Sequence, residues 1–213
     1  MMRFFGYFRS SSAYRCRIAF NLKGVATEFV PVNLRDGAQK QHDFRDLNPQ
    51  GLVPALDTGE AVLTQSLAII EWLEETRPDP ALLPGDPLAR AHVRAFAQVI
   101  ACEIHPLQNL RVLNFIKSQH GQDQDGADAW CRHWIGEGLA ACEAIAASQT
   151  HGGAFTFGDT PGLADICLVP QIFSADRFGL DTAPFGRLRE IRAACEALPE
   201  FAQAHPARQP DAV

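Results

Sequence analysis

Four prolines crowd into residues 77–87: Pro78, Pro80, Pro84 and Pro87. Such a run sustains neither a helix nor a strand ladder. It therefore reads as a linker and domain boundary, and it parts two stretches with different periodicities. Before it, strand and helix signals alternate. Phe4 to Phe8 is a short apolar run that predicts a buried strand, and Ser11 to Lys23 has a helical pattern closed by Gly24. Glu28 to Asn33 is a second strand, placed at a sheet edge by Pro31. Residues 35 to 47 are polar and irregular, with a short helix near Asp43 to Leu47. Val53 to Asp57 and Ala61 to Thr64 form a hairpin through Thr58-Gly59-Glu60. Ser66 is placed to cap an amphipathic helix, with Leu67, Ile69, Ile70, Trp72 and Leu73 inward and Glu71, Glu74 and Glu75 outward. This order predicts a four-stranded mixed sheet with helices packed on it, over residues 1–80.

After the linker no segment alternates convincingly as a strand. Leu88 to Gln119 carries one long helical pattern bent near Pro106, and Gly126 to Ser148 a second with Trp130, Trp134, Leu139 and Ile145 as apolar faces. Ala164 to Phe178 is apolar enough to be a buried central helix. Arg187 to Ala197 and Pro199 to Ala204 close an all-helical bundle over residues 88–213, with Arg208 to Val213 as a loose tail.

Hydrophobic residues make up 46% and charged residues 21%, an ordinary soluble composition. The net charge of −6 argues against general affinity for nucleic acid or anionic membrane. No stretch is long enough to span a bilayer, and the apolar run between Arg3 and Arg9 is too short for a signal peptide, so a cytoplasmic protein is expected. The six cysteines (Cys16, Cys102, Cys131, Cys142, Cys167, Cys195) form no C-x-x-C pair and read as buried, reduced thiols rather than disulfides or metal ligands. His92, His120, His133, His151 and His205 lack metal-ligand spacing and read as surface or packing residues; no metal is expected.

The stretch with the most chemistry is Arg9-Ser10-Ser11-Ser12-Ala13-Tyr14-Arg15-Cys16-Arg17-Ile18-Ala19. A strand, a serine loop and a helix N-terminus make a place to hold an anion, because serine caps the first turn and that turn is the positive end of the helix dipole. Phosphate, carboxylate and thiolate are all open at this point.

With the two-part layout, these residues resemble the cytosolic glutathione transferases over essentially the whole chain, and the zeta class in particular. The serine run followed by Arg15-Cys16-Arg17-Ile18-Ala19 is that class's hallmark; Asn48-Pro49-Gln50-Gly51-Leu52-Val53-Pro54 looks like its loop into a cis-proline, and Gln65-Ser66-Leu67-Ala68-Ile69-Ile70 like its glutathione-binding helix start. His105-Pro106-Leu107-Gln108-Asn109 and Asp165 to Arg177 look like its isomerase group, the maleylacetoacetate and maleylpyruvate isomerases. There are departures. Ser12 stands where many members have cysteine, and Gly162 stands where a serine or threonine usually caps the buried helix ahead of Asp165, with Thr160 as a partial substitute.

The resemblance implies a thioredoxin-like α/β domain joined to an all-α bundle, glutathione as cofactor, a dicarboxylate substrate and a homodimer. It implies a reversible addition of the glutathione thiolate to a maleyl double bond, which rotates and is released as the fumaryl isomer. Ser10 is the first choice for the hydroxyl facing sulfur, with Ser11 and Ser12 as rivals and one of the three only a cap. Ser66 and Gln65 would grip the γ-glutamyl end, Val53 before a cis-Pro54 the peptide portion, and Gln39, or else Lys40 or His42, the glycyl end. His105 would wall the pocket and Asn109 would bind glutathione or a substrate oxygen. Arg9, Arg177 and Arg111 would hold the substrate's carboxylates and developing charge. Plainer readings stand beside these: Ser66 as a cap, Arg177 paired with Asp176 or Asp181, Arg111 solvated, and Arg15 and Arg17 structural, pairing with acids or facing solvent. A general transferase or peroxidase conjugating electrophiles is the alternative activity, and a non-catalytic binding module a third reading.

Overall fold

The pleat of the first strand, β1 (Met2–Gly6), sends Phe4 and Phe5 to opposite sides of a sheet. The Phe4 ring meets Phe20 edge-on, centroids 5.0 Å apart, and also Phe29, whereas Phe5 meets Phe44 at 6.3 Å. Phe20 lies in α1 (Ser11–Leu22) and Phe44 in α2 (His42–Leu47), so the two-faced strand organises a helix on each side. Strand β2 (Thr27–Pro31) runs parallel to β1, and β3 (Ala55–Asp57) pairs antiparallel with both β1 and β4 (Val62–Thr64). The order β2-β1-β3-β4 leaves β2 at an edge, where Pro31 costs no ladder bond. Helix α3 (Ser66–Thr76) packs beside α1.

The computed structural model describes residues 1–149 and 152–212. His151 and Val213 lie outside the described residues. The chain divides into two units, Met1–Leu82 with Ala197–Val213, and Leu83–Glu196.

Three features of the first unit differ from the sequence reading. Glu74, expected outside, is buried, because Lys23 beneath it is buried too: its ammonium donates to Glu74 Oε2 at 2.6 Å and to the carbonyls of Arg77, Pro78 and Pro80. Glu74 Oε2 also accepts the Leu82 N–H at 3.0 Å. The first half of the proline run is thus wrapped around a charge. Second, α9 (Pro199–Ala204), expected to close the helical bundle, packs on α1 in the sheet unit. Third, the tail is not loose as far as it is described. Gln209 donates from Nε2 to the Gln203 and His205 carbonyls, both at 3.0 Å, and Asp211 accepts the Phe8 N–H at 2.9 Å.

In the second unit the long helical pattern is broken rather than bent. Helix α4 (Pro87–Gln98) gives way to a π-helical turn (Val99–Ile104) and a 3₁₀ turn (His105–Gln108) before α5 (Leu110–His120) begins. Pro106 lacks an N–H to continue the ladder. Ile104 also sits where a Cβ on Gly138 would be, so α6 (Gln124–Ala147) comes very close to the π turn. The Trp130 Nε1–H of α6 donates to the Leu107 carbonyl at 2.8 Å.

Helix α7 (Leu163–Arg177) is buried over most of its length, packed by α4, α6 and α8 (Gly186–Glu196). Its missing cap hydroxyl is replaced neither by Thr160 nor by any other side chain; the Asp165 carboxylate instead gathers donors from the preceding loop. The Asp165 carboxylate accepts the Thr156 N–H at 2.9 Å, the Thr156 hydroxyl at 2.7 Å and the Gly162 N–H at 2.8 Å. Burial pushes the Asp165 carboxyl up from its ordinary pKa, and those three donors oppose the shift. Among the described residues, no helix is long and apolar enough to cross a membrane.

Candidate active site

Helix α1 opens on a chain of hydroxyls. Ser10 is the N-cap; its Oγ accepts the Ala13 N–H at 3.2 Å and lies 3.1 Å from Ser12 Oγ. The Ser12 hydroxyl donates to the Val53 carbonyl at 3.2 Å. Its one hydrogen is thereby committed, so the hydrogen between the two serines belongs to Ser10. Ser10 is a cap that still has an O–H to redirect, whereas Ser12 is a tether between α1 and the proline loop. Ser11, the first helical residue, is buried.

The tether ends beside the Val53–Pro54 peptide bond, which is cis. The loop is shaped by Asn48, whose side chain donates to the Leu52 carbonyl at 2.7 Å and accepts the Gln50 N–H at 3.1 Å. Gly51 has φ +62°, and a Cβ there would stand 2.9 Å from the Gln39 carbonyl oxygen, so only glycine fits.

Gln65 precedes α3 with φ 69° and ψ 120°, a conformation that strains any residue but glycine. Its Nε2 donates to Gln50 Oε1 at 2.8 Å. Ser66 is the first residue of α3, not its cap, and its hydroxyl accepts from Arg15 Nη1 at 3.2 Å. A buried guanidinium therefore stands behind the positive end of α3, which favours a carboxylate there.

Gln39 sits in a 3₁₀ turn (Ala38–Lys40), and its buried Oε1 has no hydrogen-bond partner. Lys40 is exposed, and His42 is exposed beside Asp46 at 2.9 Å. Together the first unit offers a helix N-terminus with a hydroxyl proton that can be redirected, the Val53 backbone ahead of a cis-proline, a cation-backed helix start and side-chain amides. That donor set suits a peptide thiol bearing two carboxylates and an amine, so the residues present fit glutathione.

The arginines separate by environment. Arg9 is half-buried over the Phe8 ring, 5.3 Å from its centroid, with its Nε buried and unbonded. Arg15 and Arg17 are buried: Arg15 donates to the Ser66 hydroxyl, and Arg17 donates to backbone carbonyls rather than facing solvent. Arg17 Nε donates to the Ala204 carbonyl at 2.9 Å and Nη2 to the Phe8 carbonyl at 3.0 Å. Burial lowers its pKa to about 10, and neighbouring groups including Tyr14 and Asp211 pull it back up.

In the second unit His105 opens the 3₁₀ turn and is half-buried. Asn109 is the N-cap of α5, its Oδ1 accepting the Arg111 N–H at 3.1 Å. Arg111 is exposed in the first turn of α5, and Arg177 is exposed at the end of α7, stacked 4.5 Å from the Phe178 ring centroid. Asp176 is engaged by Arg192 at 2.5 Å, and Asp181 accepts the Ala183 N–H at 2.9 Å. Cys131 and Cys142 have thiol pKa values raised by burial to about 11 and about 12, so neither offers a thiolate at neutral pH. Cys102, expected to be buried, is exposed on the π turn.

Sequence reasoning missed Gln50, the Arg15–Ser66 contact and the Lys23 cage. Only the first had a local signal, since Asn-Pro-x-Gly is turn chemistry and Asn48 accepts from its own turn. The others join residues about fifty positions apart.

A family model described as glutathione S-transferase, N-terminal domain, matches residues 9–76. A maleylpyruvate isomerase of Ralstonia sp. is 49% identical over 99% of both chains. The holo structure of a maleyl pyruvate isomerase, a bacterial zeta-class glutathione transferase, superposes with a TM-score of 0.98 at 48% identity, covering 99% of this chain and 100% of that one. A maleylacetoacetate isomerase of Methylobacterium extorquens AM1, with malonate and glutathione bound, superposes at 0.96 with 42% identity over 99% of both. Serine run, cis-proline loop and overall likeness agree: this chain belongs to the zeta-class glutathione transferases, in the group of the maleylacetoacetate and maleylpyruvate isomerases.

Proposed function

We propose that this protein is a glutathione-dependent cis–trans isomerase acting on a maleyl keto acid, maleylacetoacetate or maleylpyruvate. The observation that carries the reading is the hydroxyl chain at the start of α1, in which Ser10 keeps a hydrogen it can turn outward. Bound glutathione supplies a thiolate that adds reversibly to a double bond conjugated to a ketone and so permits rotation about it. Ser10 donates its proton to that sulfur, and the N-terminal dipole of α1 favours the negative charge. Val53 pairs with the peptide portion ahead of cis-Pro54, Gln65 and the Ser66 end of α3 hold the γ-glutamyl group, and Gln39 reaches toward the glycyl end. Ser11 lines the same turn, and Ser12 ties it to Val53. Arg9, adjacent to Ser10 with an unbonded Nε, holds a substrate carboxylate and the charge that develops on the keto oxygen. Arg111 and Arg177 are the second unit's carboxylate forks in this reading, with His105 and Asn109 as hydrogen-bonding groups. Malonate bound together with glutathione in the Methylobacterium relative supports a dicarboxylate as the substrate class.

The test is conversion of maleylpyruvate and of maleylacetoacetate to the fumaryl isomer by purified protein plus glutathione, followed by ultraviolet absorbance. Turnover of neither, with normal conjugation of a chlorinated aromatic, overturns the isomerase reading in favour of a general transferase. Arg177→Ala is expected to lose isomerisation and keep glutathione binding; loss of both would remove Arg177 from substrate binding. A cytoplasmic homodimer completes the proposal, on the strength of the family, and sedimentation at the monomer mass overturns the dimer.

A further inference from the structure

Phe8 is the residue just before Arg9 and Ser10, and both of its backbone polar groups are held by charged side chains. Its N–H donates to Asp211 Oδ2 at 2.9 Å, and its carbonyl accepts from Arg17 Nη2 at 3.0 Å. The two grips come from opposite directions in sequence. Arg17 reaches back from α1 and is itself anchored on the Ala204 carbonyl, while Asp211 reaches in from the far end of the chain. The segment carrying Asp211 is folded against α9 by the two Gln209 bonds, and the Ala212 N–H bonds the Gln209 carbonyl at 3.0 Å. On the other side of Phe8 the chain turns at once: the Ser10 N–H bonds the Tyr7 carbonyl at 3.0 Å, which sets the Ser10 cap. Hydrogen bonds with an ionised partner are roughly twice as strong as neutral ones, and here two of them bracket one residue, fixing the peptide units on both sides of it. Nothing in the chemistry of residues 7–12 requires a carboxylate 203 positions away, yet the structure spends one there.

We infer that Asp211 is a positioning residue for the glutathione thiolate: by fixing the Phe8 N–H it sets the angle at which the turn presents Arg9 and Ser10. The inference deepens the proposed function and rests on its assignment of Ser10 to sulfur. Displacement of a reacting group by even a fraction of an ångström is costly, so the carboxylate acts on the chemistry without touching substrate.

Wild type, Asp211→Asn and Asp211→Ala decide the matter by three measurements. These are amide hydrogen exchange at Phe8 in glutathione-free protein, the pH titration of thiolate absorbance in the glutathione complex, and kcat with KM for isomerisation. Phe8 exchange is expected to quicken from wild type to Asn to Ala, because a neutral oxygen holds the N–H about half as strongly as a carboxylate. The thiol pKa of bound glutathione should rise in the same order. In Asp211→Ala kcat should fall about tenfold, while the KM for glutathione moves by less than about twofold. Wild-type thiolate titration and kcat in Asp211→Ala, with only a lowered melting temperature, would overturn the inference and leave Asp211 a merely structural clasp. If the Ala variant does not fold, a wild-type titration in Asp211→Asn overturns it equally. Failure of the isomerase reading looks different: wild type turns over neither substrate, while thiolate titration and Phe8 exchange still rank the three proteins.

Discussion

Three serines in a row look interchangeable, and what separates Ser10 from Ser12 is where each hydroxyl's single hydrogen goes. Ser12 gives its own to Val53, 41 positions away, which no reading of the run alone can show. Ser12→Ala should therefore cost about 1 kcal/mol in urea unfolding and leave isomerisation largely intact. Ser10→Ala should lower isomerisation at least about tenfold, since it removes a donor to a charged atom. The reverse ranking of the two kcat values would exchange their roles. The same logic governs Lys23. Its side chain is fully buried, and Glu74 beside it is 7% exposed. Lys23→Met strands a buried carboxylate and should destabilise the fold by about 3–5 kcal/mol; adding Glu74→Gln should recover part of that in denaturant titrations.

At the scale of elements, most strands and helices were legible because their periods are clean. Phe4 and Phe5 alternate, α7 is apolar over most of its length, and Pro31 marks an edge. The breaks were not legible. The π turn at Val99–Ile104 packs Ile104 against Gly138 in a different helix, and a one-dimensional pattern carries no trace of that contact. Gly138→Ala should force Ile104 aside and cost about 1–3 kcal/mol by overpacking, measured as a shift in the unfolding midpoint. Asn109 illustrates a residue type with two meanings, because the amide that could bind a ligand is already the cap of α5. Asn109→Ala should cost about 1 kcal/mol of stability, whereas Asn109→Asp keeps the cap and removes the amide donor. A rise in glutathione KM in the Asp variant, whose cap is intact, would assign the Asn109 amide to ligand binding; an unchanged KM there would leave it a cap.

For the whole molecule, the two units each have to be taken with all the segments they gather. Residues 1–80 and 88–213 were expected to fold as separate domains, but the sheet unit also takes in Ala197–Val213, whose Ala204 carbonyl and Asp211 carboxylate complete bonds begun by Arg17 and Phe8. A fragment of residues 1–82 should consequently lack fixed tertiary structure by near-ultraviolet circular dichroism, and fusing residues 197–213 to it through a short linker should restore it. A well-folded 1–82 fragment would show that the C-terminal stretch is dispensable. The family motifs were readable because they are local runs; the supports behind them join the two ends of the chain.

The Lys23 cage has a practical consequence. The chain has only three lysines: Lys40 is exposed, Lys117 is half-buried, and Lys23 is sealed among a carboxylate and three carbonyls. An amine-acylating reagent will tag the first two at once and the third only when the sheet unit opens. The ratio of Lys23 acylation to that of a free amine, read by mass spectrometry, is then a clock for that opening, written into the protein without any added label.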